Sequence, residues 1–389
     1  MKVVHVIESI SPHDGGPPNV VLHLAGAQAA LGAEVKVVTY RDACNQQWLS
    51  DWRREIPSAN GIELQEITRG WRFWRSKVEA LRGLRDDADI MHVHGIWRSL
   101  AWHALSGRHC GRAAILLAPH GMLSPWALDH NGFRKKLAMR GGWRRMISAA
   151  DVLHAVSLGE QDEIKAVISG ACIALIPNGV AGAETEDRTP ANIDLRHDGA
   201  AAGGYVLYLA RLHEMKGPDL LLDAFAEVIK GTDECSGYRL IMAGPDYGEK
   251  AALQARAKHL RIEDKVHFPG PVFDKAKWDL YHGATLVCQP SRYEAFSLTL
   301  LEAVAAGVPV LTTPEANFPE IRSSAAGIVC RGEPKELARN MRLLLTQPEL
   351  RERMGRQGRT LAKKYTWERI AMGAMQVYGS LLTGRATSG

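Results

Sequence analysis

The chain has 389 residues, which exceeds one ordinary hydrophobic core and predicts two domains of roughly 150–200 residues each. Its hydrophobic fraction of 46% and charged fraction of 23% are typical of a soluble globular protein rather than a disordered or fibrous one. A formal net charge of +5 is small for a dedicated nucleic-acid binder, so we expect no nucleic-acid partner. The same charge is compatible with an anionic substrate or an anionic membrane surface.

The six cysteines are scattered, and none forms a Cys-x-x-Cys pair or lies near a histidine at metal-ligand spacing. Such thiols are typical of the reducing cytoplasm, and we expect all six to be reduced and buried. The opening segment, MKVVHVIESISP, lacks the apolar region of a signal peptide, and no apolar run approaches the roughly 18–20 residues of a membrane span. We therefore expect a cytoplasmic protein whose only membrane contact would be peripheral, on the inner face of the cell membrane.

From residue 1 to 180, short β-branched runs alternate with helical stretches. The pattern predicts helices in PPNVVLHLAGAQAALG and LGEQDEIKAVISG, and strands in KVVHVIESI, EVKVVTY, ADIMHVHG, AAILLAPHG and DVLHAVS. Residues 181–204 are polar, charged and small without periodicity, and we interpret them as a linker between domains.

The alternation of strands and helices restarts at residue 205 and continues to residue 365. Continuously apolar strands that alternate with helices predict parallel sheets covered on both faces. The predicted fold class is therefore α/β, with two Rossmann-like, doubly wound domains that face each other across a cleft. The final segment, 366–389, is amphipathic, and we expect this helix to pack back on the first domain.

Two cations follow the first strand of the second predicted domain. The strand YVLYLA ends at Arg211, and Lys216-Gly217-Pro218 then begins a helix, because proline suits a first helical turn. Cations at a helix N-terminus oppose the helix dipole unless an anion, such as a diphosphate, occupies the site. The alternative is a pair of solvated surface cations.

The segment SRYEAFSLTLLE, residues 291–302, contains two carboxylates, Glu294 and Glu302, which bracket its almost wholly apolar part. The pattern places Glu294 in a loop and Glu302 within a helix that Gly307 ends, so the two groups are predicted to lie about 10 Å or more apart. That separation exceeds what a glycosidase acid and nucleophile use. We interpret them as acceptors for two hydroxyl-bearing parts of one long ligand; the alternative is a helix cap and a solvated surface group.

These motifs resemble the retaining nucleotide-sugar glycosyltransferases of family four, which have the GT-B fold. The segments LYLARLHEMKGPDLLLDAF and YEAFSLTLLEAVAAGVPVLTT carry the resemblance in the second predicted domain. In the first predicted domain it is carried by IPNGV, HDGGPPNVVLHLA, IMHVHGIW and PHGMLSPWAL. HGMLSPWAL followed by a basic stretch is similar to bacterial members that build exopolysaccharide and lipopolysaccharide.

For the second domain, the resemblance implies that Arg211 and Lys216 neutralise the donor diphosphate as charge grows on it. It implies that Glu302 accepts from ribose hydroxyls and Glu294 from hydroxyls of the transferred sugar. The remaining implied donor contacts are backbone groups, listed here with the weaker candidates last: Phe296, Ser297, Leu298, Gly244 and Val272.

For the first domain, the resemblance implies that His120 is the active-site histidine, with Arg211, Lys216 and Glu294 as the other catalytic residues. Gly15 and Gly16 let backbone approach the sugar or phosphate. Asn178, in PNG, is expected to contact the donor. His5, His92 and His94 are expected to be structural.

The implied activity is transfer of a hexosyl group from a nucleotide diphosphate sugar to a glycan, in particular a lipid-linked one, in cell-surface polysaccharide synthesis. No Asp-x-Asp motif follows a strand, so we predict no metal and no other cofactor. A nucleotide-sugar epimerase and a non-catalytic sugar-nucleotide binding protein remain alternatives; a nicotinamide dehydrogenase is disfavoured, because no Gly-x-Gly-x-x-Gly follows the first strand. The donor nucleotide, the sugar and the oligomeric state stay open.

Residues 133–147, FRKKLAMRGGWRRMI, contain six cations and no acidic residue, interleaved with apolar and aromatic side chains. This composition is compatible with contact to an anionic membrane surface. It is equally compatible with a solvated helix whose apolar face packs on its own domain, and Gly141-Gly142 is expected to interrupt that helix.

Overall fold

The computed structural model describes residues 1–70, 74–106, 112–130, 132–181, 204–231 and 233–386. The chain divides into two compact units, the first formed by residues 1–179 with 367–389 and the second by residues 180–366. Most of the predicted linker, residues 182–203, lies outside the described residues.

Unit 1 contains a seven-stranded sheet in which every described pairing is parallel. Its strands lie in the order β3-β2-β1-β4-β5-β6-β7. Their bounds are β1 Lys2–Val6, β2 Glu34–Tyr40, β3 Ile62–Ile67, β4 Ile90–His94, β5 Ala114–Ala118, β6 Val152–Ala155 and β7 Ile173–Leu175. The central strands β4 and β5 are buried at every residue, as expected for strands covered on both faces.

Unit 2 contains a six-stranded parallel sheet in the order β10-β9-β8-β11-β12-β13. The strands are β8 Tyr205–Leu209, β9 Arg239–Ala243, β10 Val266–Gly270, β11 Leu286–Gln289, β12 Val310–Thr312 and β13 Gly327–Val329. A cluster of buried side chains from β8, β9, β11 and the neighbouring helices forms its core.

Helices connect the strands of both sheets. In chain order they are α1 Gly16–Ala30, α2 Asn45–Glu55, α3 Trp74–Asp87, α4 Ser99–Ser106, α5 Pro125–Asp129, α6 Gly132–Ala138, α7 Arg144–Ile147, α8 Leu158–Val167, α9 Pro218–Gly231, α10 Lys250–His259, α11 Asp274–Gly283, α12 Leu298–Ala305, α13 Glu320–Ser323, α14 Pro334–Thr346, α15 Pro348–Ala362 and α16 Trp367–Ala386. In unit 1, α16 packs against α1. No helix in the described ranges is long and apolar enough to cross a membrane.

Each sheet reverses its strand order at one place, between β1 and β4 in unit 1 and between β8 and β11 in unit 2. In doubly wound sheets, ligands bind beyond the carboxyl ends of the strands at such a switch point. In unit 2, Arg211 and Lys216 follow β8, and Glu294 follows β11. The predicted donor residues therefore lie on the two loops that flank the switch point.

The sequence pattern missed the strands at both edges of the first sheet, β3 and β7. Edge strands are half solvated, and both are interrupted by polar or exposed residues that obscure the alternation. The predicted break of the basic segment is present: a π-helical stretch, Met139–Trp143, separates α6 from α7, and Gly142 has a φ of 128°. The described cysteines are free, but Cys44 and Cys172 are exposed, contrary to the expectation that they are all buried.

Candidate functional site

The two loops at the switch point of unit 2 are fastened to each other. The backbone N–H of Arg292 donates to the carbonyl of Met215 (2.8 Å), and the Arg292 guanidinium forms a two-pronged ion pair with Asp219 (2.8 and 2.7 Å). Gly217 is left-handed (φ 65°), and a Cβ there would lie 2.0 Å from the carbonyl oxygen of Pro290. Glycine is therefore required where the loops meet.

This approach brings Lys216 into an ion pair with Glu294, and both side chains are buried. Burial lowers the pKa of Lys216, although the Glu294 carboxylate opposes that effect and Arg211 adds to it. The same Glu294 oxygen accepts from Gln289 Nε2 (2.6 Å) and Ser291 Oγ (3.3 Å). A buried ion pair with these additional donors holds both charges in fixed positions.

Arg211 lies at the carboxyl end of β8 and is half-buried. Its guanidinium lies 5.1 Å from the centre of the Tyr247 ring, an arrangement that is favourable for a cation on an aromatic face. Among the described residues, no carboxylate forms an ion pair with Arg211. Together with Lys216, it provides positive charge for an anionic ligand at this switch point.

Helix α12 begins at Leu298, with Ser297 as its N-cap. Ser297 Oγ accepts from the Leu300 N–H and donates to Gln289 Oε1 (3.1 Å), so the cap is tied to β11. The N–H groups of Phe296, Ser297 and Leu298 precede the first intrahelical bond and are suited to bind an anion. The ring of Phe296 packs on Phe318 (5.0 Å between centroids), so only the backbone of Phe296 is available.

Glu302 lies within α12, and both of its carboxylate oxygens already have partners on α11. Lys277 Nζ lies 2.7 Å from one oxygen, and the hydroxyl of Tyr281 donates to the other at 2.9 Å. Burial and the adjacent Glu302 raise the pKa of Tyr281 well above its usual value, so the phenol stays a donor. The carboxylate is held in place and retains lone pairs for a further donor.

Gly244 and Val272, the weaker predicted positions, follow β9 and β10. The N–H of Gly244 donates to the Gly270 carbonyl (2.8 Å), and its φ is 146°. A Cβ at Gly244 would lie 1.9 Å from the carbonyl oxygen of Ala210, directly before Arg211. Gly244 thus permits close packing behind the cation, while Val272 is half-buried.

In unit 1, the predicted glycine loop leads into α1 beside the switch point. Gly15 is the N-cap of α1, with φ 86° and ψ −147°, and a Cβ at this residue would meet nothing within 4 Å. Gly16 is the first residue of the helix and is exposed. The constraint at Gly15 is therefore backbone conformation, and the N-terminus of α1 is open to a ligand.

His120 follows β5 in a strained turn. Its φ of 53° is in the left-handed region, as is that of Gly121 (77°). The buried carboxylate of Glu160, on α8, accepts from the Gly121 N–H (2.5 Å) and the Val156 N–H (2.8 Å) and so fixes the turn. Burial raises the pKa of Glu160 to about 7. A strained residue held by a buried carboxylate is typical of a functional position.

The ring of His120 is bonded to other histidines. His120 Nε2 lies 3.0 Å from His94 Nδ1, and His94 Nε2 lies 2.9 Å from His5 Nδ1. Burial lowers the pKa of His120 to about 3, and those of His5 and His154 to about 4. The pKa values of His92 and His94 are also lowered, first by burial. The imidazoles are therefore neutral near neutral pH.

Asn178, at the end of unit 1, is buried, and its Oδ1 has no hydrogen-bond partner among the described residues. A buried acceptor without a donor is unfavourable, and a ligand hydroxyl or N–H would satisfy it. The predicted site residues of unit 1 thus provide three different features: an open helix N-terminus at Gly15 and Gly16, an unpaired acceptor on Asn178 and a constrained histidine, His120.

Two family models together match most of the chain. The model of the glycosyl transferases group 1 matches residues 200–361, and that of glycosyltransferase family 4 matches residues 14–181. The chain belongs to the family 4 glycosyltransferases. Its two parallel-sheet units are those of the GT-B fold, as the resemblance of the sequence implied.

Relatives of this glycosyltransferase include a D-inositol 3-phosphate glycosyltransferase of Streptomyces griseus, 27% identical over 95% of this chain and 85% of the relative. Anabaena HepE, solved with UDP and glucose, has a TM-score of 0.78 at 19% identity and covers 98% of this chain and 100% of its own. WaaG, described as involved in lipopolysaccharide biosynthesis, has a TM-score of 0.70 at 18% identity, with 97% and 99% covered.

Sequence reasoning missed the residues that hold the candidate site in place. In unit 2 these are Lys277, Tyr281, Gln289 and Ser291, and although Ser291 begins the segment SRYEAFSLTLLE, no spacing rule marks any of the four as a partner of the carboxylates. In unit 1 it missed that the histidines of adjacent strands form one cluster. The sequence showed only that each histidine lies in a predicted strand, and the register of the structure makes His5 and His92 partners on β1 and β4.

The contact between the two loops of unit 2 predicts the effect of a substitution at Gly217. Gly217→Ala should lower the free energy of unfolding by about 1–2 kcal/mol for left-handed backbone, plus about 1–3 kcal/mol for overlap with Pro290. Gly248→Ala is the matched control, because Gly248 also has positive φ (96°) but open space at its Cβ. Urea unfolding of both variants measures the difference; equal losses would contradict the packing argument.

The neutral histidines predict that stability falls on acidification. Their folded pKa values are depressed, so the unfolded state binds more protons below about pH 6.5. As the pH falls from 6.5 to 4, the buried His5 and His154 should each lower the free energy of unfolding by about 1.4 kcal/mol per pH unit. The raised pKa of Glu160 increases the free energy of unfolding as the pH falls from about 7 to 4.5. This single group is outweighed by the several buried histidines. Urea unfolding at pH 7 and pH 5 measures the slope, and equal or greater stability at pH 5 would contradict it.

Proposed function

We propose that this glycosyltransferase moves a hexosyl group from a nucleotide diphosphate sugar to a glycan acceptor, with retention of anomeric configuration and without a metal. The observation that carries the proposal is the grouping of Arg211, Lys216 and Glu294 on the loops at the switch point of unit 2. The two cations can form ion pairs with a diphosphate there, and the carboxylate can accept hydrogen bonds from sugar hydroxyls.

In the proposed reaction, the bond between the anomeric carbon and the diphosphate oxygen breaks, and the acceptor oxygen forms a bond to the same carbon. Negative charge grows on the leaving diphosphate, and Arg211 and Lys216 stabilise it, together with the N–H groups at the start of α12. The departing phosphate takes the proton of the acceptor hydroxyl, so no residue has to act as a nucleophile.

The carboxylates are assigned to the neutral parts of the donor. Glu302 accepts from the ribose hydroxyls and Glu294 from hydroxyls of the transferred sugar. We assign backbone contacts to the nucleobase to the segments that follow β9 and β10, which contain Gly244 and Val272. In unit 1, we assign donor or sugar contacts to Gly15, Gly16, His120 and Asn178.

The acceptor is proposed to be a growing, lipid-linked glycan of cell-surface polysaccharide synthesis. The resemblance of HGMLSPWAL and the following basic stretch to polysaccharide-building members supports this assignment, as does the fold shared with WaaG. The relatives named D-inositol 3-phosphate glycosyltransferase make a phosphorylated polyol the competing acceptor class.

The activity test is incubation with labelled UDP, GDP and ADP sugars, beginning with UDP-glucose because HepE was solved with it. A transferase releases nucleotide and labels an acceptor, and the product's anomeric signal by NMR reports retention or inversion. Full activity after treatment with EDTA would support metal independence. An epimerase would alter the sugar without releasing nucleotide, and a binding protein would do neither; each outcome would overturn the proposal.

The ion pairs predict different effects for the two glutamates. Glu302→Ala should weaken free nucleotide diphosphate and intact donor alike, by about 1.5–3 kcal/mol. Glu294→Gln should leave affinity for the free diphosphate intact or increased, because Lys216 loses its competing carboxylate, and should reduce turnover. Calorimetric titration and initial rates measure both, and Glu315→Gln is an exposed acidic control in the same region. Loss of nucleotide binding in Glu294→Gln, with none in Glu302→Ala, would reverse the assignment.

We also propose that α6 contacts an anionic membrane surface. Phe133 and Leu137 lie one helical turn apart and are 82% and 62% exposed, and Arg134 and Lys136 are exposed beside them. Trp143, by contrast, packs on Trp102 (5.1 Å between centroids). The exposed large apolar side chains of the basic segment therefore lie in its first half, on α6, and this favours α6 as the contact surface.

Co-sedimentation with vesicles of anionic phospholipid tests this surface. Arg134→Glu with Lys136→Glu should lower vesicle binding, since each cation near the surface contributes about 1 kcal/mol. Phe133→Ser with Leu137→Ser should lower it as well, because apolar insertion is lost. Arg353→Glu with Lys364→Glu makes the same charge change at exposed positions of unit 2 and should have less effect. Equal effects of the two charge reversals would refute a specific surface.

A further inference from the structure

A continuous chain of buried hydrogen bonds runs through unit 1 and ends at His120. Its first part joins His120 to His94 (3.0 Å), His94 to His5 (2.9 Å), and His5 Nε2 to Gln28 Oε1 (2.8 Å). These side chains come from β4, β1, α1 and the turn after β5. Apart from His120, which keeps some exposed surface, they are buried.

The second part continues from Gln28 to a backbone carbonyl. Gln28 Nε2 donates to the hydroxyl of Tyr378 on α16 (3.1 Å), which lies 2.8 Å from His92 Nδ1. His92 Nε2 lies 3.1 Å from His154 Nδ1, and His154 Nε2 lies 2.6 Å from the carbonyl oxygen of Ile176. All members belong to unit 1.

The carbonyl of Ile176 determines the direction of the bonds in the second part. A carbonyl oxygen can only accept, so His154 Nε2 carries the proton, and the neutral ring offers a bare Nδ1. His92 Nε2 must then donate to that nitrogen, which leaves His92 Nδ1 bare. The hydroxyl of Tyr378 therefore donates to His92 and accepts from the amide nitrogen of Gln28.

The first part follows by the same reasoning. With the Gln28 nitrogen donating to Tyr378, its oxygen faces His5, so His5 Nε2 carries a proton and His5 Nδ1 is bare. His94 Nε2 then donates to His5, and His120 Nε2 donates to His94. Each of the five imidazoles has its proton on Nε2, and His120 is left with an unprotonated Nδ1. Reversing the direction would set a bare nitrogen of His154 against the Ile176 oxygen, which is unfavourable when buried.

We propose that this chain fixes the tautomer of His120, so that its Nδ1 is always a hydrogen-bond acceptor, and that Gln28 and Tyr378 are positioning residues. The group that faces this nitrogen must then be a donor, such as a sugar hydroxyl, and not an anion. The contact between His120 Nδ1 and a sugar hydroxyl rests on the proposed function, whereas the tautomer of His120 does not depend on it.

The same cluster offers a competing interpretation. Within the described ranges, His5, His92 and His94 are the one group that could hold a metal ion, because their ligand atoms lie within 4.8 Å of one another. Yet all six of their ring nitrogens take part in the chain described above. A bound metal would have to break several of these hydrogen bonds. The intact hydrogen-bond chain therefore favours a role for the cluster in fixing which ring nitrogens are protonated.

The test is NMR of the full chain labelled with ring ¹⁵N-histidine, with signals assigned by single His→Asn variants. Each of the five histidines should show a protonated Nε2 and a bare Nδ1. Couplings across the N–H···N bonds should join His120 Nε2 to His94 Nδ1, and His92 Nε2 to His154 Nδ1. A protonated Nδ1 on His120, or stoichiometric zinc in the purified protein by elemental analysis, would overturn the proposal.

Two variants break the chain at different links, Gln28→Met and Tyr378→Phe. In both, His120 should show a second, Nδ1-protonated population or exchange broadening, although it touches neither substituted residue. Tyr40→Phe is the matched control, because it removes another buried tyrosine hydroxyl of unit 1, bonded to Ser99 (2.8 Å) outside the chain. Unchanged His120 nitrogen shifts in both chain variants would overturn the proposal.

Turnover gives a second readout that loss of packing would not reproduce. In both chain variants, kcat should fall in proportion to the fraction of His120 with a bare Nδ1, about twofold for an equal mixture, with donor KM unchanged. A loss of kcat in Tyr40→Phe equal to that in Tyr378→Phe would contradict the role of the chain. If the unsubstituted protein transfers no sugar, the proposed function fails, but the ¹⁵N spectra still determine which nitrogen of His120 is protonated.

Discussion

The buried ion pair between Lys216 and Glu294 is the constraint on which the candidate site of unit 2 depends. Each charge offsets the desolvation of the other where the loops after β8 and β11 meet. Their meeting in turn requires a residue without a side chain at Gly217 and a clamp between Arg292 and Asp219. Conformation, packing and electrostatics thus specify the same geometry.

The pair also gives a physical account of how the proposed site for a diphosphate and a sugar is kept ready before either arrives. Lys216 is desolvated but compensated, so a phosphate would meet a cation that has already lost its water. Glu302 is prepared in a different way, by a lysine and a phenol that orient its oxygens. The proposed anion and hydroxyl sites of unit 2 are thus prepared by separate means.

How much could be predicted from the sequence depended on whether the relevant contacts are local. Arg211, Lys216, Glu294 and Glu302 stand at the ends of apolar strands or in a helix start, so their placement followed from the chain pattern. Their supporting residues come from α11 and from β11, and no spacing rule connects them. The edge strand β3 was missed because half-solvated strands lose the apolar continuity that marks central ones.

The histidine cluster of unit 1 could not be predicted either, because its contacts are not local in the sequence. Each of His5, His92, His94 and His154 is embedded in an apolar run, where a single histidine is most simply a satisfied core residue. Only the parallel register, which sets His5 beside His92, turns separate residues into one connected cluster. The partner that links its two parts, Tyr378, is far away in the sequence, and no local pattern could have indicated it.

Unit 1 is discontinuous, because α16 returns to it after the whole of unit 2. During synthesis, all of unit 2 leaves the ribosome before Tyr378 does, so unit 2 can fold while unit 1 still lacks a helix. The buried side chains of Gln28 on α1 and His92 on β4 lack their hydrogen bonds to the Tyr378 hydroxyl during that interval. Because contacts between such distant parts of a chain form slowly, closure of unit 1 by α16 is expected to be a late step of folding. The nascent unit 1 is then the part of the chain most in need of protection from aggregation.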